Sequence, residues 1–281
     1  MNKTESNGLN RSVFLVFLLI LLPCLARSQE RPSLNVRFAF EGNKVFSEEK
    51  LAQKMNQCFV TYCTKSSESV IFDYCTRELK RFLSSEGYLQ ATVAQKKQET
   101  VGDSARVVLS VQEGRLFYLG QVTINGATRF SPSTIREMLT LNEGDVANAD
   151  RITEWDKTLK NAYGEFGYIQ YTAMVDPNYH SRTGEQSGTV DLNVIIDEGQ
   201  VFKIKSIRFV AEHKINQDDL RREMFVRVGE VFNKRLFDDS INNLNQSGVF
   251  QPIDSDKDVD YQWDRKSPEL DIIVHLKKKV A

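Results

Sequence analysis

The chain of 281 residues has few of the residue types from which catalytic sites are built, with only three histidines and four cysteines, and its formal net charge is −1. The near-neutral charge gives no electrostatic reason to expect a nucleic acid as partner, because phosphate backbones bind surfaces rich in Lys and Arg. After the first 28 residues no apolar run approaches the ~20 residues that cross a bilayer, so no membrane span is predicted there.

Nothing in the sequence indicates a catalytic or metal site. His180, His213 and His275 are far apart, and no nucleophile elbow, phosphate-binding loop or zinc signature accompanies them. Residues 254–258 (DSDKD) resemble the start of a calcium-binding loop, but Val259 stands where that loop requires glycine. We therefore predict no catalytic residues, no cofactor and no bound metal.

Residues 1–28 are predicted to be a secretory signal peptide. They begin with the basic residues Lys3 and Arg11 and continue with an apolar run at residues 13–22, and Ala26 and Ser28 provide the small residues of a cleavage site. The run is short for a membrane span. The alternatives are an uncleaved membrane anchor and lipidation of a cysteine beside the run.

Three cysteines remain after that segment, and export would place them in an oxidising compartment. Cys58 continues the helical stripe of Leu51 and Met55, and Cys75 falls on the apolar stripe of the next helical segment. A Cys58–Cys75 disulfide is the favoured pairing and leaves Cys63 over. Two buried thiols are the alternative.

One pattern occurs twice in the middle of the chain. Residues 111–126 (VQEGRLFYLGQVTING) correspond without a gap to residues 196–211 (IDEGQVFKIKSIRFVA). Each copy contains a Glu-Gly pair and then alternating apolar residues, which is typical of two strands joined by a glycine turn. The pairs are Glu113-Gly114 and Glu198-Gly199. We interpret them as inter-repeat junctions at which glycine supplies a backbone angle that other residues disfavour.

Three helix-ending glycines recur with nearly the same period. Gly87, Gly167 and Gly248 follow amphipathic segments at two intervals that differ by a single position, and each precedes two apolar residues. Independent landmarks with one period indicate a repeat, because chance matches would not share a spacing. The helix starts are marked by residues that suit the N-cap position. These are Ser47, Ser131, Asn148, Asn216 and Asn233.

The repeated order is strand, helix, helix, strand, strand. We predict an α+β protein of three tandem β-α-α-β-β repeats at residues 34–115, 116–200 and 201–281. Each repeat is predicted to be a three-stranded mixed sheet that two helices cover on one face. In the second repeat, Trp155 and Phe166 fall on the apolar stripe of a helix and are predicted to lie in the core.

This element order, the helix-ending glycine with its two apolar followers and the Glu-Gly exit resemble POTRA domains, the polypeptide-transport-associated modules. In tandem, POTRA domains form the periplasmic part of BamA-like outer-membrane β-barrel assembly proteins. The resemblance covers residues 34–279. The first repeat departs from the pattern in its cysteine-containing segment between the helices, and the third ends in three lysines rather than in Glu-Gly.

The resemblance implies an exported, periplasmic, non-enzymatic scaffold that binds outer-membrane β-barrel proteins and their unfolded precursors. No stretch of the chain supplies the many alternating strands of a barrel. We therefore expect association with the membrane through partners, among them a separately encoded barrel. The alternative is a structural adaptor of an envelope or division complex, anchored by an uncleaved N-terminal segment.

The POTRA strand order 1-3-2 places the second strand of each repeat at an edge, where unpaired N–H and C=O groups can accept an extended client segment. The candidate edges are residues 89–97, 169–175 and 249–253. The middle one alternates and has no charge, whereas the first ends in Lys96 and Lys97. We predict client docking at the middle edge; its alternative role is a sheet margin covered by a neighbour. Its residues are Ile169, Gln170, Tyr171, Thr172, Ala173, Met174 and Val175.

Overall fold

The computed structural model describes residues 35–62, 68–101, 104–211, 215–264 and 267–277. The predicted signal peptide, Cys63 and His213 lie outside these ranges. No helix within them is long and apolar enough to cross a membrane. The same ranges contain no group of His, Cys, Asp or Glu side chains that could hold a metal ion.

The described residues form the order β-α-α-β-β three times. The first repeat contains β1 (Asn35–Glu41), α1 (Glu48–Tyr62), α2 (Glu68–Ser85), β2 (Thr92–Val101) and β3 (Ser104–Gln112). The second contains β4 (Leu116–Asn125), α3 (Pro132–Glu137), α4 (Ala149–Gly164), β5 (Thr172–His180) and β6 (Ser187–Asp197). The third contains β7 (Lys203–Ala211), α5 (Gln217–Arg222), α6 (Lys234–Gln246), β8 (Val259–Trp263) and β9 (Glu269–Leu276).

Each repeat has its own three-stranded sheet, in the orders β1-β3-β2, β4-β6-β5 and β7-β9-β8. The first strand pairs in parallel with the third in every sheet. The second strand pairs antiparallel with the third in the second and third sheets. The predicted α+β class is therefore confirmed, with the third strand in the centre and the second at an edge.

Helices α3 to α6 each begin after an N-cap residue whose side chain accepts a hydrogen bond from an unpaired backbone N–H group of the first turn, as the sequence predicts. Ser131 accepts from the backbone of residue 134, and Pro132 occupies the first turn, where no N–H partner is needed. Asn148, Asn216 and Asn233 cap α4, α5 and α6 in the same way. These caps fix where each helix begins relative to its sheet.

The core of the second repeat contains Trp155, which is 2% exposed, and the Nε1 group of its indole donates to the carbonyl of Ile135 at 2.9 Å. The prediction for Phe166 is wrong, because this side chain is 39% exposed. Helix α4 ends at Gly164, so Phe166 lies in the turn beyond it and leaves the helical stripe. Tyr163, fully buried, is the aromatic residue that packs into the core there.

A disulfide joins α1 to α2 in the first repeat. It links Cys58 to Cys75, the pairing favoured from the sequence, with a Cα–Cα distance of 5.6 Å. Cys75 is fully buried. The bond therefore crosslinks the two helices in the interior of this repeat.

The chain divides into two compact units. One contains the residues up to Leu79 together with Val93–Gln112, and the other contains Lys80–Thr92 together with the residues from Glu113 onward. The end of α2 and the turn after it thus belong to the unit that holds the second and third sheets.

Candidate functional site

The predicted docking strand begins later than expected. Strand β5 spans Thr172–His180, and Ile169, Gln170 and Tyr171 precede it in the turn after α4. Ile169 packs against the core of the third repeat. Tyr171 is 5% exposed and stacks on Tyr163 at 4.6 Å between ring centroids. The apolar alternation that favoured a strand therefore reflects two different packing partners.

The other two predicted edges are displaced in the same direction. The edge expected at residues 89–97 is β2, Thr92–Val101, and the edge expected at residues 249–253 is β8, Val259–Trp263. In the first case Leu89 packs against the core of the second repeat. In the third repeat, Phe250 and Ile253 are buried in its own core before the strand starts. The apolar residues after the helix-ending glycine therefore pack into cores and do not begin strands.

Strand β5 pairs with β6 along its whole length, from Thr172 opposite Asp197 to His180 opposite Thr189, without a register shift. Pro177 lies within this ladder, opposite Leu192. Proline has no N–H, so an unbroken ladder places its nitrogen on the outward side. Because backbone direction alternates along a strand, the N–H and C=O groups of Ala173 and Val175 also face outward. The available edge ends where Pro177 removes the next donor.

The opposite edge of the same sheet is covered by the chain itself. The backbone N–H of Gly144 donates to Leu119 O at 2.8 Å, Leu119 N donates to Asp145 O at 2.8 Å, and Ala147 N donates to Phe117 O at 2.9 Å. The inter-helix segment therefore pairs with β4. No such segment pairs with the outer edge of β5 among the described residues.

The third repeat covers the edge of β7 in the same way. Ile204 N donates to Glu230 O at 2.8 Å, and Gly229 N donates to Ile204 O at 2.7 Å. Neither covering segment was predicted from the sequence. Their signal was present, because Gly144 and Gly229 are separated by the same interval as the junction glycines Gly114 and Gly199.

The second strands of the other repeats are less suited to accept an added strand. In β2, Lys96 forms an ion pair with Glu41, and Lys97 forms one with Glu99. Strand β8 has only five residues and includes Asp260. Strand β5, by contrast, opens with four uncharged residues before Asp176. Charged and short edges resist accidental pairing.

The junction residue Glu198 is 8% exposed and accepts four hydrogen bonds. Its Oε1 accepts from Thr128 N at 2.7 Å, from Arg129 N at 2.8 Å and from the Tyr163 hydroxyl at 2.9 Å. Its Oε2 accepts from the Thr128 hydroxyl. The carboxylate thus ties the end of the sheet to the β4–α3 connection and to α4.

The charge state of Glu198 follows from these contacts. Burial raises the pKa of this carboxyl, but the hydrogen bonds from Thr128, Arg129 and Tyr163 together outweigh it, so the pKa lies below its ordinary value. The pKa of Tyr163 is raised, mainly by burial and in addition by the hydrogen bond to Glu198. The pair is therefore a neutral phenol that donates to an ionised carboxylate.

The predicted junction glycines have the backbone conformation that their role requires. Gly114 and Gly199 have φ of +74° and +66°. A Cβ at Gly199 would lie 2.8 Å from the Cβ of Gln170. Glu113, which precedes Gly114, is 3% exposed. Both Glu-Gly pairs therefore combine a buried acid with a left-handed turn.

The turn after each preceding helix lies against the repeat that follows. Phe117 N donates to Gly87 O at 3.0 Å, and Phe202 N donates to Gly167 O at 3.0 Å. A Cβ at Gly167 would lie 2.8 Å from Val231 Cγ1. The same contacts recur at both junctions, so the period in the sequence reflects a repeated joint.

The chain thus consists of tandem small α+β modules, and in the second module the chain itself covers one sheet edge while the other edge carries outward-facing backbone groups. The sequence model of the POTRA family, described as surface antigen variable number repeat, matches residues 117–199 and 202–279. These matches cover more than half of the chain, which therefore belongs to the POTRA family.

Relatives of known name point in the same direction. The chain is 25% identical over 206 residues to the outer membrane protein assembly factor BamA of Buchnera aphidicola, covering 72% of this chain and 32% of that protein. It is 24% identical over 225 residues to BamA of Neisseria meningitidis serogroup B, covering 77% of this chain and 28% of that protein. The chain thus spans about a third or less of the length of these relatives.

A solved structure shares the fold. The crystal structure of POTRA domains 3–5 of Haemophilus influenzae BamA matches 87% of this chain and 96% of its own, with a TM-score of 0.70 and 19% identity.

Proposed function

We propose that this chain is a non-enzymatic periplasmic scaffold in outer-membrane protein assembly, and that it binds extended segments of outer-membrane proteins at the outer edge of β5. The observation that carries the proposal is the contrast between the two edges of the second sheet. Strand β4 is covered by the chain's own residues 144–147, whereas β5 offers outward-facing backbone groups beside an uncharged stretch. Similarity to BamA proteins supports the assembly role.

Strand addition is the binding mode that this edge favours. Ala173 and Val175 each offer one N–H and one C=O group, and each hydrogen bond contributes about 1 kcal/mol net. An interaction of that size is weak and depends little on sequence, because it is made mainly by the backbone. A scaffold that meets many unfolded clients needs such an interaction.

The experiment is titration of the isotopically labelled chain with an extended peptide from a barrel strand, followed by backbone amide shifts. We expect the largest shifts at Ala173 and Val175. Val175→Pro removes an outward N–H and leaves the ladder to β6 intact, as Pro177 already does, so we expect affinity to fall about fivefold. Retained cross-strand contacts between β5 and β6 would show that the variant still folds.

The matched control is Gln95→Pro in β2, because Gln95 precedes Val175 by the same interval as Gly87 precedes Gly167. It makes the same backbone change at an edge that Lys96 and Lys97 protect, and it should leave affinity unchanged. Equal effects of the two substitutions, or shifts clustered away from β5, would contradict docking at this edge.

A further inference from the structure

The open face of the second sheet, which the helices do not cover, has an apolar pair at its edge. Met174 on β5 lies directly opposite Ile195 on β6, and the two side chains are 59% and 42% exposed. The neighbouring cross-strand rows on this face are polar. They pair Thr172 with Asp197 and Asp176 with Asn193.

The other repeats lack this pair. In the first repeat, the positions equivalent to Met174 and Ile195 by the intervals of the repeat are Ala94 and Ser110. In the third repeat the position equivalent to Ile195 is His275, because each residue follows a valine of the central strand. The backbone N–H of His275 donates to Asp258 O at 2.8 Å. Among the described residues, an exposed apolar pair at this position thus occurs in the second sheet and not in the other two.

The repeats also differ in the charge of these strands. Strands β5 and β6 contain no Lys or Arg, and Asp176, Asp191 and Asp197 all lie on their open face. Asp176 is exposed at the edge, next to the place of an added strand. Its equivalent in the first repeat is Lys96, of opposite sign.

We infer that Met174 and Asp176 select the segment that β5 binds: an extended segment with an apolar side chain beside Met174 and a basic side chain two residues away, beside Asp176. This inference rests on the proposed function. Directly opposite side chains of neighbouring strands lie ~5 Å apart, and every second residue points to the same face. An added strand therefore brings its own alternate side chains next to these two.

Pro177 limits the recognised motif to this short length. Beyond Asp176 the edge has lost a backbone donor, so an added strand pairs fully only beside residues 172–176. Within that stretch the open face presents Thr172, Met174 and Asp176 in order. This row therefore complements a segment that carries an apolar side chain and, two residues away, a basic side chain.

The test uses three nine-residue peptides of alternating apolar and polar residues that differ only at these two positions. The two positions carry an apolar residue and Lys, an apolar residue and Glu, or Ala and Lys. Binding of each peptide to the chain is measured by fluorescence anisotropy. We expect the apolar–Lys peptide to bind most tightly. Asp176→Lys should lower its affinity about fivefold and raise that of the apolar–Glu peptide by about the same factor. Met174→Asp should weaken both apolar peptides about fivefold.

Asp260→Lys is the control, because it makes the same charge change on the open face of the third sheet and should leave the ranking as it was. Two failures are distinguishable. If no peptide binding responds to Val175→Pro, the edge itself is not the site. If Val175→Pro weakens binding but Asp176→Lys leaves the ranking of the Lys and Glu peptides unchanged, docking at the edge is retained and the selectivity for a basic side chain is overturned.

Discussion

At the scale of single residues, the buried carboxylate of Glu198 connects three segments of the second repeat. A buried carboxylate loses hydration, and that loss is offset only where hydrogen-bond donors replace the water. Two backbone N–H groups and two hydroxyls do so here. The residue therefore holds three segments in register while it remains ionised.

Glu198→Gln should destabilise the second unit by about 1–3 kcal/mol at pH 7, because an amide NH₂ would face donors that now have a carboxylate oxygen. The pKa of Glu198 is lowered from its ordinary value of 4.5 in the folded chain. Its contribution is therefore fully present above the unfolded value and is lost as pH falls through the lowered folded value. The two proteins should converge in urea-unfolding free energy as pH falls below about 4.

Tyr163→Phe is a useful companion, because it removes one of the four donors and leaves the charge. It should cost less than Glu198→Gln and keep the pH dependence of the native chain. A stability difference for Glu198→Gln that stays constant down to pH 3 would exclude the ionised carboxylate as its cause.

At the scale of elements, the helix-ending turns show how one local motif serves two purposes. Gly167 and Gly248 both have positive φ, of +84° and +68°. A Cβ at Gly167 would meet Val231 at 2.8 Å and Phe202 O at 3.1 Å, whereas a Cβ at Gly248 would have nothing within 4 Å among the described residues. Both glycines have a left-handed backbone conformation. Of the two, only Gly167, whose turn contacts the next repeat, also lies too close to its neighbours for a Cβ atom.

Gly248→Ala should therefore cost about 1–2 kcal/mol, the strain of a left-handed alanine alone. Gly167→Ala should cost about 1–3 kcal/mol more, because the added methyl group also displaces Val231 and the backbone of Phe202, which precedes β7. Thermal unfolding of the two variants measures the difference. Equal losses would show that the joint between the repeats accommodates a methyl group without strain.

At the scale of the whole molecule, the disulfide and the division into two units predict separable unfolding. Cys58 and Cys75 lie in the first unit, and their bond closes a loop with a sequence separation of 17. Reduction, or the double substitution to alanine, should destabilise that unit by about 3 kcal/mol.

The two tryptophans make the separation measurable, because Trp155 and Trp263 both lie in the second unit. The tryptophan fluorescence transition in urea should keep its midpoint on reduction, while part of the far-UV circular dichroism change moves to lower urea. A fluorescence midpoint that moves with the circular dichroism would show that the units unfold together.

The order of elements, the helix caps and the positive-φ glycines could be predicted from sequence because each depends on a few neighbouring residues. Asn148 caps α4 whatever packs against it, and Gly114 is favoured wherever the backbone turns left-handed. The start of β5 could not be predicted in this way. Ile169 and Tyr171 alternate with polar neighbours as strand residues do, but they pack into two different cores.

The sequence by itself thus determined the three repeats, their period, the residues that cap the helix starts and the left-handed glycines after the helices, since those follow from local backbone preferences and recurring spacing. Only the tertiary structure decided which edge is open. Residues 144–147 cover β4 through contacts far apart in the chain, Pro177 limits β5, and Met174 meets Ile195 only when β5 and β6 pair. Strand edges exist only after strands from distant parts of the chain have come together.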